Sequence, residues 1–239
     1  MVFLHGGWGY QIYPYDNQIS RFGDRFRIII PDRSGYGGSG RIEDLPPDFH
    51  SRAAIETSAL LDALGLERPV IWGHSDGAVI GAIMGLSEPS RFAGLILEAV
   101  HFYRRKPGSR QFFETMAADP ELLGERVTTI LRADHGEDYW REIILKNGRA
   151  WLRIADESSD PTEDLYNGKL SELTVPTLFV HGSKDPRTEP GELDAVASAV
   201  GRERIRVIDG GGHSPHSERS CAEQTNGLVE QFLKCLGLK

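Results

Sequence analysis

Gly73-His74-Ser75-Asp76-Gly77 follows the apolar run Pro69-Val70-Ile71-Trp72 and leads into the small, apolar stretch from Ala78 to Leu86. A serine between glycines at a strand-to-helix junction is the arrangement that lifts a hydroxyl clear of a sheet on a sharp turn. The glycines matter because strand end and helix start come so close there that a side chain at either position would clash. Ser75 is therefore the candidate nucleophile.

The stretches that could serve such a nucleophile lie on both sides of it. Val175 to His181 reads as a buried strand ending in Gly182-Ser183-Lys184-Asp185-Pro186, and Ile205 to Ile208 as another ending in Asp209-Gly210-Gly211-Gly212-His213. Ser75, Asp185 and His213 thus each sit just past a strand, and sites in open parallel sheets form outside the carboxyl ends of the strands. The expected roles are nucleophile, orienter and general base. Upstream, the strand Met1 to Leu4 runs into His5-Gly6-Gly7-Trp8-Gly9. The backbone N–H of Asp76 and one from Gly7 or Trp8 are the candidate oxyanion donors.

These stretches, in this order from His5 to His216, resemble the α/β-hydrolase superfamily in its serine-nucleophile, single-domain branch. Asp32-Arg33-Ser34-Gly35-Tyr36-Gly37-Gly38-Ser39 is similar to that family's D-x-R-G-x-G-x-S loop. The resemblance implies an α/β fold, a mostly parallel sheet covered by helices on both faces. It also implies a Ser-His-Asp triad that cleaves carboxylic esters through an acyl-enzyme, without metal or organic cofactor, the partner being a small-molecule ester. Serine at position 75 argues against the haloalkane dehalogenase and epoxide hydrolase branches, which place aspartate there. Lactonase, C–C bond hydrolase and cofactor-free haloperoxidase-like esterase stay open. The GxSDG form is similar to the valacyclovir-hydrolase-like branch, which adds aminoacyl esters. Outside the enzymes, the alternative is a small-molecule receptor or signalling protein with slow turnover.

Strand and helix patterns alternate along the chain: Asp16 to Phe22 as helix, Arg27 to Ile30 as strand, Ser51 to Leu64 as helix, Gly94 to Glu98 as strand, Pro190 to Val200 as helix. That alternation predicts a parallel sheet with helical crossovers. The rhythm breaks between Ala99 and Glu172. Residues 100–172 are expected to form a helical cap inserted between the core segments 1–99 and 173–239, with His101, Phe102, Trp140 and Trp151 as candidate pocket residues. The antiparallel strands that precede the HG motif in most relatives have no counterpart here. The strand from Phe26 to Ile30 is then expected at the sheet edge, where it would be covered or paired with a second copy in a homodimer.

Several polar residues have two readings. Glu98 is the reserve acid should Asp185 point away. His5 and His74 are expected to be structural, and His216 to cap or pack at a helix start. The Asp76 side chain either reaches the pocket, where it would favour a cationic substrate, or lies beneath the elbow against local partners.

The 239 residues suffice for one large core, and 39% hydrophobic with 26% charged residues describes a globular chain. A net charge of −8 argues against nucleic-acid or anionic-membrane partners. No apolar stretch is long enough to span a bilayer and no leader is visible, so a cytoplasmic location is expected. Cys221 and Cys235 would stand roughly 21 Å apart on one helix, too far for a disulfide. They are expected to be free thiols.

Overall fold

The computed structural model describes residues 1–238. Five strands, β1 (Val2–Leu4), β2 (Val70–His74), β3 (Gly94–Glu98), β4 (Thr177–Gly182) and β5 (Ile205–Ile208), form one sheet. They lie side by side in chain order and every pairing is parallel. Strands β1 to β4 are buried along their whole length. This is why they read as apolar runs rather than as alternating patterns.

Helices α1 (Asp16–Phe22), α2 (Phe49–Ala63), α3 (Asp76–Ser87), α4 (Arg110–Ala118), α5 (Glu125–His135), α6 (Trp140–Glu157), α7 (Glu192–Val200) and α8 (Ala222–Cys235) complete the chain. On one face of the sheet Leu61, Val79, Ile80 and Val196 from α2, α3 and α7 pack on Ile71, Leu95 and Leu97. On the other, Phe22 of α1 and Val229 and Leu233 of α8 pack on Trp72, Ile96 and Val180. Each such side chain contributes about 1.5–3 kcal/mol when fully buried, so the two layers fix the sheet that carries the site. The segment between β3 and β4 contains α4, α5 and α6. Its own cluster of Phe113, Trp140, Ile143 and Trp151 also takes in Tyr36, Leu45 and Phe49.

The expected strand at residues 27–30 is reduced to a single bridge, Val2 to Ile29. Ile29 N–H donates to Met1 O at 3.0 Å, and Phe3 N–H donates to Ile29 O at 2.9 Å. The next bond of a parallel ladder would need an N–H at position 31, and Pro31 has none. Cys221, buried at the start of α8, and Cys235, exposed at its end, are both free. No helix among the described residues is long and apolar enough to cross a membrane.

Candidate active site

Ser75 stands between the end of β2 and the first turn of α3 with φ 55° and ψ −119°. A non-glycine residue in this region carries about 1–3 kcal/mol of strain, which the flanking close contacts sustain. A Cβ at Gly73 would lie 2.1 Å from Gly77 O, and one at Gly77 would lie 2.0 Å from Leu4 O. Only glycine permits that approach. The backbone N–H groups of Gly7, Trp8 and Asp76 have no hydrogen-bond acceptor among the described residues. Asp76 is the first residue of α3, so its N–H is one of the helix's free N-terminal donors. The loop bearing Gly7 is held from below: Arg33 N–H donates to His5 Nε2 (3.1 Å), leaving His5 Nδ1–H to donate to Gly6 O (2.8 Å). Burial and the neighbouring Arg33 keep the His5 pKa well below its ordinary value.

Asp185 and His213 meet across the ends of β4 and β5. His213 Nδ1 is 2.9 Å from both Asp185 oxygens, and Arg187 N–H donates to Asp185 Oδ1 at 2.8 Å. Burial alone would raise the Asp185 pKa, but the charge and hydrogen bond of His213 hold it well below the carboxylate range. The carboxylate accepts, so His213 carries its proton on Nδ1 and presents Nε2 as an acceptor. His74 Nε2–H donates to His213 O (2.9 Å) and fixes the loop.

The expected hydrogen bond between Ser75 and His213 is not formed. Ser75 Oγ lies 3.2 Å from His101 Nε2 instead. The reason is a buried relay behind His101: Lys106 Nζ lies 3.1 Å from His101 Nδ1 and 2.7 Å from each oxygen of Glu192. An ammonium only donates, so His101 accepts at Nδ1 and must carry its proton on Nε2, which donates to Ser75 Oγ. Burial first, and then Lys106, hold the His101 pKa far below the ordinary histidine value, so it is neutral. Its ring stacks on that of His213, centroids 5.8 Å apart and planes 18° apart. Ser75 and both rings line one small cavity of about 40 Å³, together with Gly7, Trp8, Tyr13, Phe112, Trp151 and Arg187.

The other expected residues divide. Glu98 is fully buried, accepting from His216 N–H and facing His216 Nδ1, both at 2.9 Å, with Trp72 Nε1–H at 3.0 Å. Burial would raise its pKa, but His216 and His74 pull it down to about 2. It therefore holds the loop after β5 and does not meet His213. Asp76 is also fully buried and saturated: Oδ1 faces His50 Nε2 (3.3 Å) and Trp151 Nε1 (3.1 Å), while Oδ2 faces Asn147 Nδ2 (3.1 Å) and an Arg33 nitrogen (3.6 Å). Of the two readings of Asp76, the geometry is that of a carboxylate held by local partners, since four protein groups already occupy it. Trp140 and Phe102 line neither this cavity nor its neighbour. Trp140 packs against the guanidinium groups of Arg132 and Arg141, and Phe102 packs on Tyr103 and Tyr166. His101 and Trp151 do line the cavity.

A larger cavity of about 780 Å³ opens between Tyr103–Lys106, α6 and Glu189–Pro190. It does not reach Ser75. Phe113 and Trp151, stacked with centroids 5.2 Å apart, stand between the two spaces. Sequence reading passed over Lys106, Glu192 and Arg187. Arg187 alone had a signal, since it sits in the loop of the proposed acid.

A parallel sheet that presents a strained serine, a carboxylate-held histidine and free backbone donors at one end of its strands defines the class of nucleophilic α/β enzymes. The model of the Alpha/beta hydrolase family matches residues 1–224, and the chain belongs to that family. It is a hydrolase by that membership. Serine hydrolase BPHL of Mus musculus is 28% identical, over 88% of this chain and 70% of that protein. Epoxide hydrolase A of Mycobacterium tuberculosis is 27% identical, over 100% of this chain and 92% of its own length. Among solved structures, the Bacillus megaterium epoxide hydrolase superposes with a TM-score of 0.73 at 20% identity, over 98% of this chain and 93% of that one. That likeness concerns the fold alone.

Proposed function

We propose that this chain is a serine hydrolase of carboxylic esters, with Ser75 as nucleophile, His213 as general base and Asp185 as its orienter. One observation carries the reading: a serine at φ 55° heads α3 on the same small cavity as a histidine whose Nδ1 is held by a carboxylate. His213 Nε2 takes the Ser75 proton as Oγ attacks the carbonyl. The oxyanion rests on the N–H of Asp76 and of Gly7 or Trp8. The imidazolium, stabilised by Asp185, returns the proton to the leaving alcohol, and water repeats the cycle on the acyl-enzyme. His101 is a positioning residue: its Nε2–H, fixed by Lys106, holds an Oγ lone pair without competing for the hydroxyl proton.

Serine rather than aspartate at position 75 favours acyl transfer over the epoxide opening named for two of the relatives. The saturated Asp76 removes the basis for an aminoacyl-ester preference. A fluorophosphonate should label Ser75 alone, and a p-nitrophenyl ester should be turned over many times per molecule. Labelling elsewhere, or a single stoichiometric burst followed by silence, would overturn the reading.

A further inference from the structure

Arg187 lies two residues past Asp185 and, with Tyr13 and Phe112, lines the cavity of Ser75 and His213. Its bond to Asp185 is made by the backbone N–H, so the side chain is left for something else. The guanidinium carbon sits 3.2 Å from the centroid of the Phe112 ring. Such stacking uses the cation's face and leaves its in-plane N–H donors unspent. Among the described residues the guanidinium has no hydrogen bond and no ion pair. Among the described residues, every other lysine or arginine that is buried or half-buried is held by a carboxylate or carbonyl of the protein: Arg33, Arg91, Arg104, Arg105, Lys106, Arg132, Lys146, Arg153 and Arg204.

A partly buried cation without a partner is costly. Burial lowers the Arg187 pKa, with only Tyr13 and Asp185 opposing. The nearby carboxylates already accept hydrogen bonds or ion pairing from other groups, Asp185 from His213 and the Arg187 N–H, Asp76 from its four neighbours. The Tyr13 hydroxyl has no protein partner either. One guanidinium without a hydrogen-bonded partner therefore stands in a small aromatic space that the nucleophile also lines.

We propose that Arg187 binds a carboxylate of the substrate, so that the enzyme acts on esters carrying a second, free carboxylate, such as half-esters of short dicarboxylic acids. The planar fork of a guanidinium matches a carboxylate with two parallel N–H···O bonds. The inference rests on the ester-hydrolase reading, and its test separates the two.

Hydrolysis of methyl hydrogen succinate is compared with that of its neutral isostere methyl 4-methylpentanoate, and of methyl 4-aminobutanoate. The wild type should favour the succinate by roughly tenfold or more in kcat/KM. Arg187→Met should bring that ratio near one, Arg187→Lys should keep part of it, and Arg187→Glu should turn the preference towards the ammonium ester. Independently of turnover, calorimetry on Ser75→Ala protein should show binding of methyl hydrogen succinate that disappears when Arg187→Met is added. Circular dichroism shows that the variants are folded. Esters hydrolysed without charge preference, or a preference that survives Arg187→Met, would overturn the inference and leave the hydrolase reading standing. Arg187-dependent binding without turnover of any ester would do the reverse.

Discussion

Two histidines flank Ser75, and what stands behind each makes them opposites. His213 has a carboxylate at Nδ1, keeps its proton there and offers Nε2 to accept. His101 has an ammonium at Nδ1, accepts there and turns an N–H towards Oγ. The same side chain is thus set to accept a proton on one side and to donate a hydrogen bond on the other. Hydrogen-bond partners behind a ring, not the ring itself, assign its chemistry.

The contrast is broken most severely at the serine and the base. Ser75→Ala and His213→Ala should each lower ester kcat/KM by several orders of magnitude, leaving only what binding and the oxyanion donors supply. Steady-state assay of folded protein decides this, and near-native rates in either variant would dissolve the distinction. Asp185→Asn should cost about 10³–10⁴-fold in kcat, because an amide behind Nδ1 favours the wrong tautomer. Glu98→Gln should change kcat far less. The reverse ranking would give the orienting role to Glu98.

Lys106→Met attacks the other histidine. It removes the partner of a fully buried Glu192, so a stability loss of about 3–5 kcal/mol is expected in urea unfolding. The double change Lys106→Met with Glu192→Leu should recover part of that stability. In it, His101 is free to change tautomer and compete for the Ser75 proton, so kcat should fall by roughly tenfold with KM little changed. An unchanged kcat and pH profile would reduce the relay to packing.

Two smaller effects sharpen the comparison through pH. Glu98 is held at about 2 in the folded state, against about 4.3 in a free chain. Its pKa is depressed, so its stabilisation is complete above about pH 4.3 and is lost as pH falls towards 2. That is on the order of 3 kcal/mol. The stability gap between wild type and Glu98→Gln should therefore close over that window. His101 is buried and neutral with a depressed pKa. Below about pH 6.5 the unfolded chain takes up a proton that the folded one resists, so this group makes stability fall as pH falls. His101→Gln should flatten that part of the slope, and an unaltered slope would mean that His101 titrates freely.

The positions of Ser75, Asp185 and His213 at strand ends were readable because each follows an apolar run that can only be a buried strand, and strand ends in a parallel sheet converge. Helix α1 was placed on the expected residues, Asp16 to Phe22. What escaped reading depends on side chains meeting across long separations: Lys106 with Glu192, or Asp76 with His50, Asn147 and Trp151. No periodicity encodes such meetings. The strand at residues 27–30 was overestimated because its apolar, β-branched pattern was weighed without Pro31, which ends its pairing after one bridge.

The partition between the two cavities is made of rings, not of backbone. Trp151 is tied through its indole N–H to Asp76, whereas the Phe113 ring is held by packing alone, stacked on Trp151 and edge-on to Phe112, contacts worth about 0.5–1.5 kcal/mol each beyond buried area. A barrier of that kind can open by rotation of a side chain, with no change of backbone. A substrate on Ser75 would reach the larger chamber only if Phe113 turned aside. Long substrates would then be sorted by how often a ring moves, and selectivity among them would be a matter of tempo.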